Sequence, residues 1–367
     1  MAPSIGSEVV ASIPDLVCVT GASGHLGTWL VKRLLEKGYR VRATVRDPDD
    51  PKKTTVLKNL PEAEGRLQLV KGQLLEEGGF DDAVYGVDGV FHCACPTEFS
   101  FEDPYRDCIE PAVRGTVNIL KACSKAPTIK RIVFTSSAAA VRFTQLEDIP
   151  EQRFDENCWT DVDMCLRDKP HGWPYFVSKT LSELKAFELA KEYKLDLVTI
   201  LPTLVTGPFL LNKIPNSMAD ALSLVTGDVF HHNFIRRISY VHIDDIIDAH
   251  IFLYETPAAE GRYIGSCVDA SITEAAELLK KLFPKIQLPS NFDYVGEIVP
   301  HYMDNSKLRK LGFEFKHDLA DMYLSGVKCC VEKGLMTYPG ESQDQSLTPN
   351  VASQNGAESD GLVGNHL

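Results

Sequence analysis

The chain has 367 residues, 44% of them hydrophobic, and a net charge of −13 at pH 7. That suffices for one large domain or two sharing an interface, while the absence of any Lys/Arg-rich run argues against nucleic acid and anionic membranes as partners, and no apolar run approaches the roughly 20 residues that insertion into a bilayer needs. Ten scattered cysteines without C-x-x-C pairs and histidines read as reduced thiols rather than zinc ligands, so no metal is expected; Met1 to Asp15, with Glu8 and no Lys or Arg, supports neither secretion nor import, and the expected compartment is the cytoplasm.

In chain order, Leu16 to Thr20 is a short apolar run that reads as a buried parallel strand. Leu26 to Lys37 has helical apolar spacing, stopped by Gly38. Further strands are expected at Val41 to Val45, Leu67 to Val70, Gly89 to His92, Arg131 to Thr135 and Leu197 to Leu201, and helices at Ile109 to Cys123 and Tyr175 to Tyr193. This alternation predicts an α/β fold, a Rossmann-type doubly wound parallel sheet. After Pro202 the pattern loosens, with strands expected at Ser239 to His242 and Arg262 to Gly265 and helices at Asp244 to Leu253 and Ile272 to Leu282. The expected division is a flexible N-terminus (1–14), a nucleotide-binding domain (15–205), a smaller substrate lobe (206–338) and a polar disordered tail (339–367). No apolar seam stands out, so a monomer is expected.

Gly21-x-x-Gly24-x-x-Gly27 follows a strand and opens a helix. In that context glycines let the backbone turn tightly and approach a pyrophosphate seated on the helix N-terminus. An NAD site usually has an acid about 20 residues on, at the end of the second strand. Here Arg46 stands there, followed by Asp47, with Lys53 nearby. Arg46 can pair with a 2′-phosphate, so the expected cofactor is NADPH, with Asp47 as the counter-indication. Tyr175 and Lys179 lie four residues apart, on one helical face. The ammonium is expected to lower the phenol's pKa and so suit it to give a proton to a carbonyl oxygen. Cys158 and Cys165 are close enough in sequence to close a small loop on oxidation.

From about Leu16 to Leu335 the chain resembles the extended short-chain dehydrogenase/reductases, and most closely the plant dihydroflavonol 4-reductase group. The stretches that carry this are Val17-Cys18-Val19-Thr20-Gly21-Ala22-Ser23-Gly24, Val41-Arg42-Ala43-Thr44-Val45-Arg46-Asp47-Pro48, Val133-Phe134-Thr135-Ser136-Ser137, Tyr175-Phe176-Val177-Ser178-Lys179-Thr180-Leu181 and Glu260-Gly261-Arg262-Tyr263-Ile264. The resemblance implies reduction of a small phenolic carbonyl compound, most simply a dihydroflavonol. Relatives acting on anthocyanidins, isoflavanones and aromatic aldehydes are the alternatives, and a non-catalytic redox sensor is the distant one. It implies that Ser137 hydrogen-bonds the carbonyl, Tyr175 donates the proton and Lys179 holds the nicotinamide ribose. Strand alternation lets only one of Ser136 and Ser137 face the site, and the family match selects Ser137. It further implies that Gly21, Ser23, Gly24, His25, Leu26 and Gly27 wrap the pyrophosphate, Arg46 and Lys53 hold the 2′-phosphate, Cys93, Ala94 and Cys95 line the adenosine side, and Pro202, Leu204 and Val205 back the nicotinamide. Gln73, beside Leu74, stands where the group usually has an adenine-reading Asp; Gln can still accept from an adenine amine. Phe99, Arg142, Trp173, Phe176, Thr203 and Ser239 are the candidate substrate wall. Two of these depart from the group, which commonly has Asn at 142 and Gln at 239.

Overall fold

A computed structural model describes residues 15–96, 102–143, 152–296 and 301–341. Its strands are β1 (Leu16–Thr20), β2 (Arg40–Val45), β3 (Leu67–Lys71), β4 (Gly89–His92), β5 (Arg131–Thr135), β6 (Gln152–Phe154), β7 (Leu197–Pro202), β8 (Leu204–Thr206), β9 (Arg237–His242), β10 (Gly261–Gly265), β11 (Val268–Ser271) and β12 (His301–Met303). Seven of them form one parallel sheet in the order β10-β7-β5-β4-β1-β2-β3. The central strands β4, β5 and β7 are buried along their whole length, as expected where helices cover both faces. One face packs on the helices His25–Glu36 and Ile243–Glu255 through Leu30, Leu34, Ile247 and Ile251. The other packs on Glu110–Ser124 and Trp173–Tyr193 through Ile119, Leu120, Ala186 and Leu189.

The sheet runs outward from β1 in both directions, so its switch point lies between β1 and β4. There the two crossover helices leave opposite faces and open a crevice at the carboxyl ends of the strands, the usual seat of a ligand in such sheets. The glycine turn after β1 and the Cys93–Pro96 segment after β4 meet in that crevice.

The expected division at residue 205 does not follow the chain. Strand β10 and the helix Ile243–Glu255 lie beyond it, yet β10 pairs with β7 and the helix packs on the main sheet. Parallel pairing needs a crossover, and this one carries β8 and β9, which β11, following β10 in the chain, joins to make a second, three-stranded sheet β11-β9-β8. That sheet buries a separate cluster under the helices Ile272–Leu282 and Leu319–Glu332, through Tyr240, Ala275, Leu279, Met322 and Tyr323. The helix Leu319–Glu332, absent from the sequence expectation, starts on a reciprocal Asp318–Asp321 capping box. The tail from 342 and the N-terminus before 15 lie outside the described residues.

Candidate active site

The glycine turn is built for close approach. Gly21 has φ +67°, and a Cβ there would stand 2.8 Å from the Ala94 Cα. A Cβ on Gly27 would stand 2.2 Å from the Gly21 carbonyl oxygen. The helix His25–Glu36 opens on Gly24 with no side-chain cap, and has no acidic residue in its first turn. Its first amides and the positive end of its dipole are therefore left for an anion. Both ring nitrogens of His25 are buried without a hydrogen-bond partner among the described residues, and burial pulls its pKa down to about 4. A buried imidazole costs free energy unless it is hydrogen-bonded, so this orphan beside the turn points the same way. A dinucleotide pyrophosphate fits here. Gly21, Ser23, Gly24, His25, Leu26 and Gly27 come together as expected, and Ala94 closes on them through its N–H to Thr20 Oγ1 at 3.2 Å.

At the end of β2, Asp47 spends Oδ1 on the backbone N–H of Asp49 at 2.9 Å. The acid that could have held a ribose hydroxyl is thus part of its own turn. Arg46 is exposed and makes no hydrogen bond or ion pair among the described residues, and Lys53 is exposed on the helix Pro51–Lys58. Gln73 and Leu74 follow β3, where the Leu74 carbonyl accepts from Asn118 Nδ2 at 2.9 Å and its side chain fills the space over Gly115. Pro202 ends β7 opposite Gly265. Leu204 and Val205 alternate, Leu204 into the lobe cluster and Val205 into the main core. That division follows from strand geometry, so at most one of the two can back a nicotinamide by its side chain.

The helix Trp173–Tyr193 starts two residues earlier than expected. Gly172 takes φ 82° before it and Pro174 sits in its first turn, the position where a missing N–H costs nothing. Tyr175 is therefore in the first turn, half-buried, with its phenol beside the Ser137 hydroxyl. Ser137 itself opens a short 3-10 turn, its Oγ accepting from the Ala139 N–H at 3.1 Å. Lys179, one turn on, is buried and donates to the Thr135 carbonyl at 2.8 Å. That uses one of its three donors. Burial works against its charge, but Cys95, Tyr175 and Glu183 around it more than offset this and hold its pKa above the ordinary value. Ser136 points to the opposite side and donates to Glu183 at 2.7 Å, which leaves Ser137 as the serine on the Tyr175 side.

One expectation needs correction. Lys179 does pull the Tyr175 pKa down, as does Ser137, yet burial outweighs both and the phenol lies above its ordinary value of 10.0. The proton thus stays on Tyr175 through neutral pH. Since kcat/KM for carbonyl reduction reports groups of the free enzyme, we expect it to stay level from this group as pH rises past neutrality and to fall only above 10.0. A loss centred near neutrality in a pH–rate series would assign the acid to another residue.

Sequence reasoning missed the layer beneath Lys179. His92 shares a 2.8 Å hydrogen bond with Thr20, and burial, with Lys179 second, lowers its pKa to about 3. His250 meets Thr135 Oγ1 at 3.0 Å and burial lowers it to about 4. Both imidazoles are neutral, so no second cation competes at the lysine. It also missed Glu183 and Arg262, although Glu183 stands one further turn along the Tyr175–Lys179 face.

The substrate candidates fare unevenly. Phe99 lies outside the described residues. Phe176 is buried and stacks on Phe143 at 4.3 Å, and Trp173 packs at the edge of that same cluster. Thr203 donates to the Gly265 carbonyl at 3.3 Å. Ser239 is a correction: it is 1% exposed and its hydroxyl is committed to the Asp269 carboxylate, directly across β9 and β11. Among the described residues Arg142 has one hydrogen bond, to the Arg237 carbonyl at 3.1 Å. Burial first, and then the Arg236 charge, pull its pKa down to about 10. Cys158 and Cys165 are free thiols in different apolar clusters, so no loop is closed between them. His242, Asp244 and His317 are near enough to share a cation, but His242 accepts from the Asp244 N–H through Nδ1 and meets Ser325 through Nε2, which leaves it no nitrogen to give.

Residues 17–264 match the NAD dependent epimerase/dehydratase family. The chain is 45% identical over 343 residues to a bifunctional dihydroflavonol 4-reductase/flavanone 4-reductase of Pyrus communis, covering 93% of this chain and 98% of that one. It is 48% identical over 328 residues to a putative anthocyanidin reductase of Ginkgo biloba, covering 88% and 96%. Among solved structures it is similar to vestitone reductase from alfalfa, at 36% identity and TM-score 0.76, covering 87% of this chain and 99% of that one.

Proposed function

The chain belongs to the NAD dependent epimerase/dehydratase family and to its dihydroflavonol 4-reductase-like branch; from this premise we propose that it reduces the 4-keto group of a dihydroflavonol with NADPH. That it is a nicotinamide-dependent oxidoreductase follows from the family. The observation that carries the finer reading is the placing of the Tyr175 phenol beside the Ser137 hydroxyl with Lys179 one turn along, set beside a glycine turn fitted for a pyrophosphate.

When bound, the reduced nicotinamide supplies the hydride. Ser137 and Tyr175 then donate hydrogen bonds to the carbonyl oxygen as negative charge grows on it, the electrostatic assistance that usually dominates such steps. Tyr175 passes its proton to that oxygen, and the Lys179 ammonium, fixed by the Thr135 carbonyl, stabilises the phenolate left behind. Among the described residues Arg142 keeps donors beyond the one it gives to Arg237, which suits a substrate rich in phenolic and carbonyl oxygens. Comparing dihydroquercetin with cyanidin and aromatic aldehydes, by loss of NADPH absorbance on purified protein, tests the reading: silence on dihydroquercetin alone would overturn it. A second reading, reduction of an anthocyanidin, is supported by the Ginkgo biloba relative and by Ser239 being turned to Asp269; turnover of cyanidin alone would establish it.

The preference for NADPH over NADH rests on Arg46 having no partner among the described residues while Asp47 is engaged. A hydrogen bond to a charged group is worth roughly 1.5–3 kcal/mol. Arg46→Ser is therefore expected to raise the KM for NADPH by about ten- to a hundredfold and to leave that for NADH unchanged. Equal shifts for the two nucleotides in steady-state assays would remove Arg46 from the 2′-phosphate.

A further inference from the structure

Glu183 is completely buried, and its carboxylate is saturated. Oε2 accepts from Ser136 Oγ at 2.7 Å and from the Arg262 guanidinium at 3.0 Å; Oε1 accepts from Thr199 Oγ1 at 2.6 Å and from Arg262 Nε at 3.0 Å. These partners come from the end of β5, from β7 and from β10, while Glu183 itself sits one turn beyond Lys179. Arg262 carries the clamp onward. It donates to the carbonyls of Glu156 and Ala140 at 3.0 and 3.5 Å and lies 3.5 Å over the Trp159 ring. Next to it, Thr160 donates its N–H to the Ala140 carbonyl at 2.9 Å and its hydroxyl to the Ala139 carbonyl at 2.7 Å. Both ends of the short turn that displays Ser137 are thus tied to one ion pair.

We infer that Glu183 is a positioning residue for the reaction: through Ser136 and Arg262 it fixes Ser137 against Tyr175 and Lys179. The inference rests on reading those three as the reacting groups. A buried ion pair is weak evidence for stability, because well-packed apolar residues often replace one at no cost. An apolar pair could not accept from Ser136, however. Holding Ser136 away is what turns the next residue, Ser137, towards the site, since successive strand side chains face opposite ways. Tyr175, Lys179 and Glu183 recur every four residues along one helical face. The same carboxylate therefore registers the reacting face of the helix against the reacting end of the strand.

Three variants test this with NADPH and whichever of dihydroquercetin or an aromatic aldehyde the parent reduces. Ser136→Ala leaves no charge unpaired and should melt close to the parent. Its kcat should fall about tenfold, as small misplacements of reacting groups do, with unchanged NADPH affinity by fluorescence titration. Its primary isotope effect with NADPH deuterated at the transferred position should rise as the hydride step slows. Glu183→Gln strands the Arg262 charge and should lose about a hundredfold in kcat together with melting temperature. The double variant Glu183→Met/Arg262→Met should recover the melting temperature but not kcat. Recovery of kcat along with stability in the double variant, or a Ser136→Ala protein equal to the parent in kcat and isotope effect, would overturn the inference. If Glu183→Gln does not fold, the other two proteins decide. Tyr175→Phe is the reference: if it keeps turnover, the reading of the reacting groups fails instead.

Discussion

Replacing Tyr175 by Phe is expected to lower kcat about a thousandfold, the middle of the range for a positioned general acid, while NADPH affinity and melting temperature stay near those of the parent. The reasons lie in the surroundings of the phenol. Its ring is half-buried at the edge of the cluster formed by Ile109, Ala139, Phe176 and Val177, and a Phe ring keeps that packing. What is removed is the hydroxyl that lies beside Ser137 and, in the proposed reaction, carries the transferable proton. Lys179 cannot substitute, because it is anchored to the Thr135 carbonyl and its pKa is held above the ordinary range, which makes it a poor acid at neutral pH. Nor can His92 or His250, both neutral and both engaged. Some turnover should survive through Ser137 and nucleotide binding alone, as when any one member of such a set is lost. Steady-state rates with the same substrate on both proteins decide the matter, and a Tyr175→Phe protein within tenfold of the parent would show that Tyr175 is not the acid.

Much of this arrangement is legible in the sequence because it depends on local spacing. Strands β1, β4, β5 and β7 are short and mostly apolar, since both of their faces are covered. The glycine triplet and the Tyr175–Lys179 pair each lie within a few residues, so the strand–turn–helix context is enough to place them. What escapes is what depends on long-range partners. Arg262 reads as an ordinary strand residue until β10 docks beside β7 and brings it to Glu183, 79 residues away. Ser239 reads as a polar residue on a pocket wall until β11 supplies Asp269 opposite it. The Tyr175 pKa is only half legible: the lysine is visible as a neighbour in the helix, but the burial that outweighs it appears only once the helix is packed. The helix Leu319–Glu332 is a different case, because Asp318 and Asp321 announce its start locally and the signal was there to be read.

The second large effect is expected from Gly27→Ala. Gly27 lies inside the helix His25–Glu36, where alanine is the better helix former, so on propensity alone the change should stabilise. Packing reverses that. The new Cβ would stand 2.2 Å from the Gly21 carbonyl oxygen and 2.9 Å from the Ala22 Cα, both backbone atoms that no rotamer can move aside. The helix cannot retreat either. Trp29 Nε1 donates to Asp244 at 2.8 Å, Arg33 grips Asp248 with two bonds at 2.8 and 2.9 Å, and Leu30 and Leu34 are fully buried. The strain must therefore fall on the turn that, in the proposed reading, presents the helix amides and His25 to the pyrophosphate. Losing two hydrogen bonds to a charged group, at roughly 1.5–3 kcal/mol each, corresponds to a loss of NADPH affinity of about a hundred- to ten-thousandfold. Overpacking of this kind costs about 1–3 kcal/mol in stability, so the melting temperature should fall as well. Fluorescence titration with NADPH beside a melting curve separates the two effects, and an affinity within threefold of the parent would mean that this turn does not seat the nucleotide.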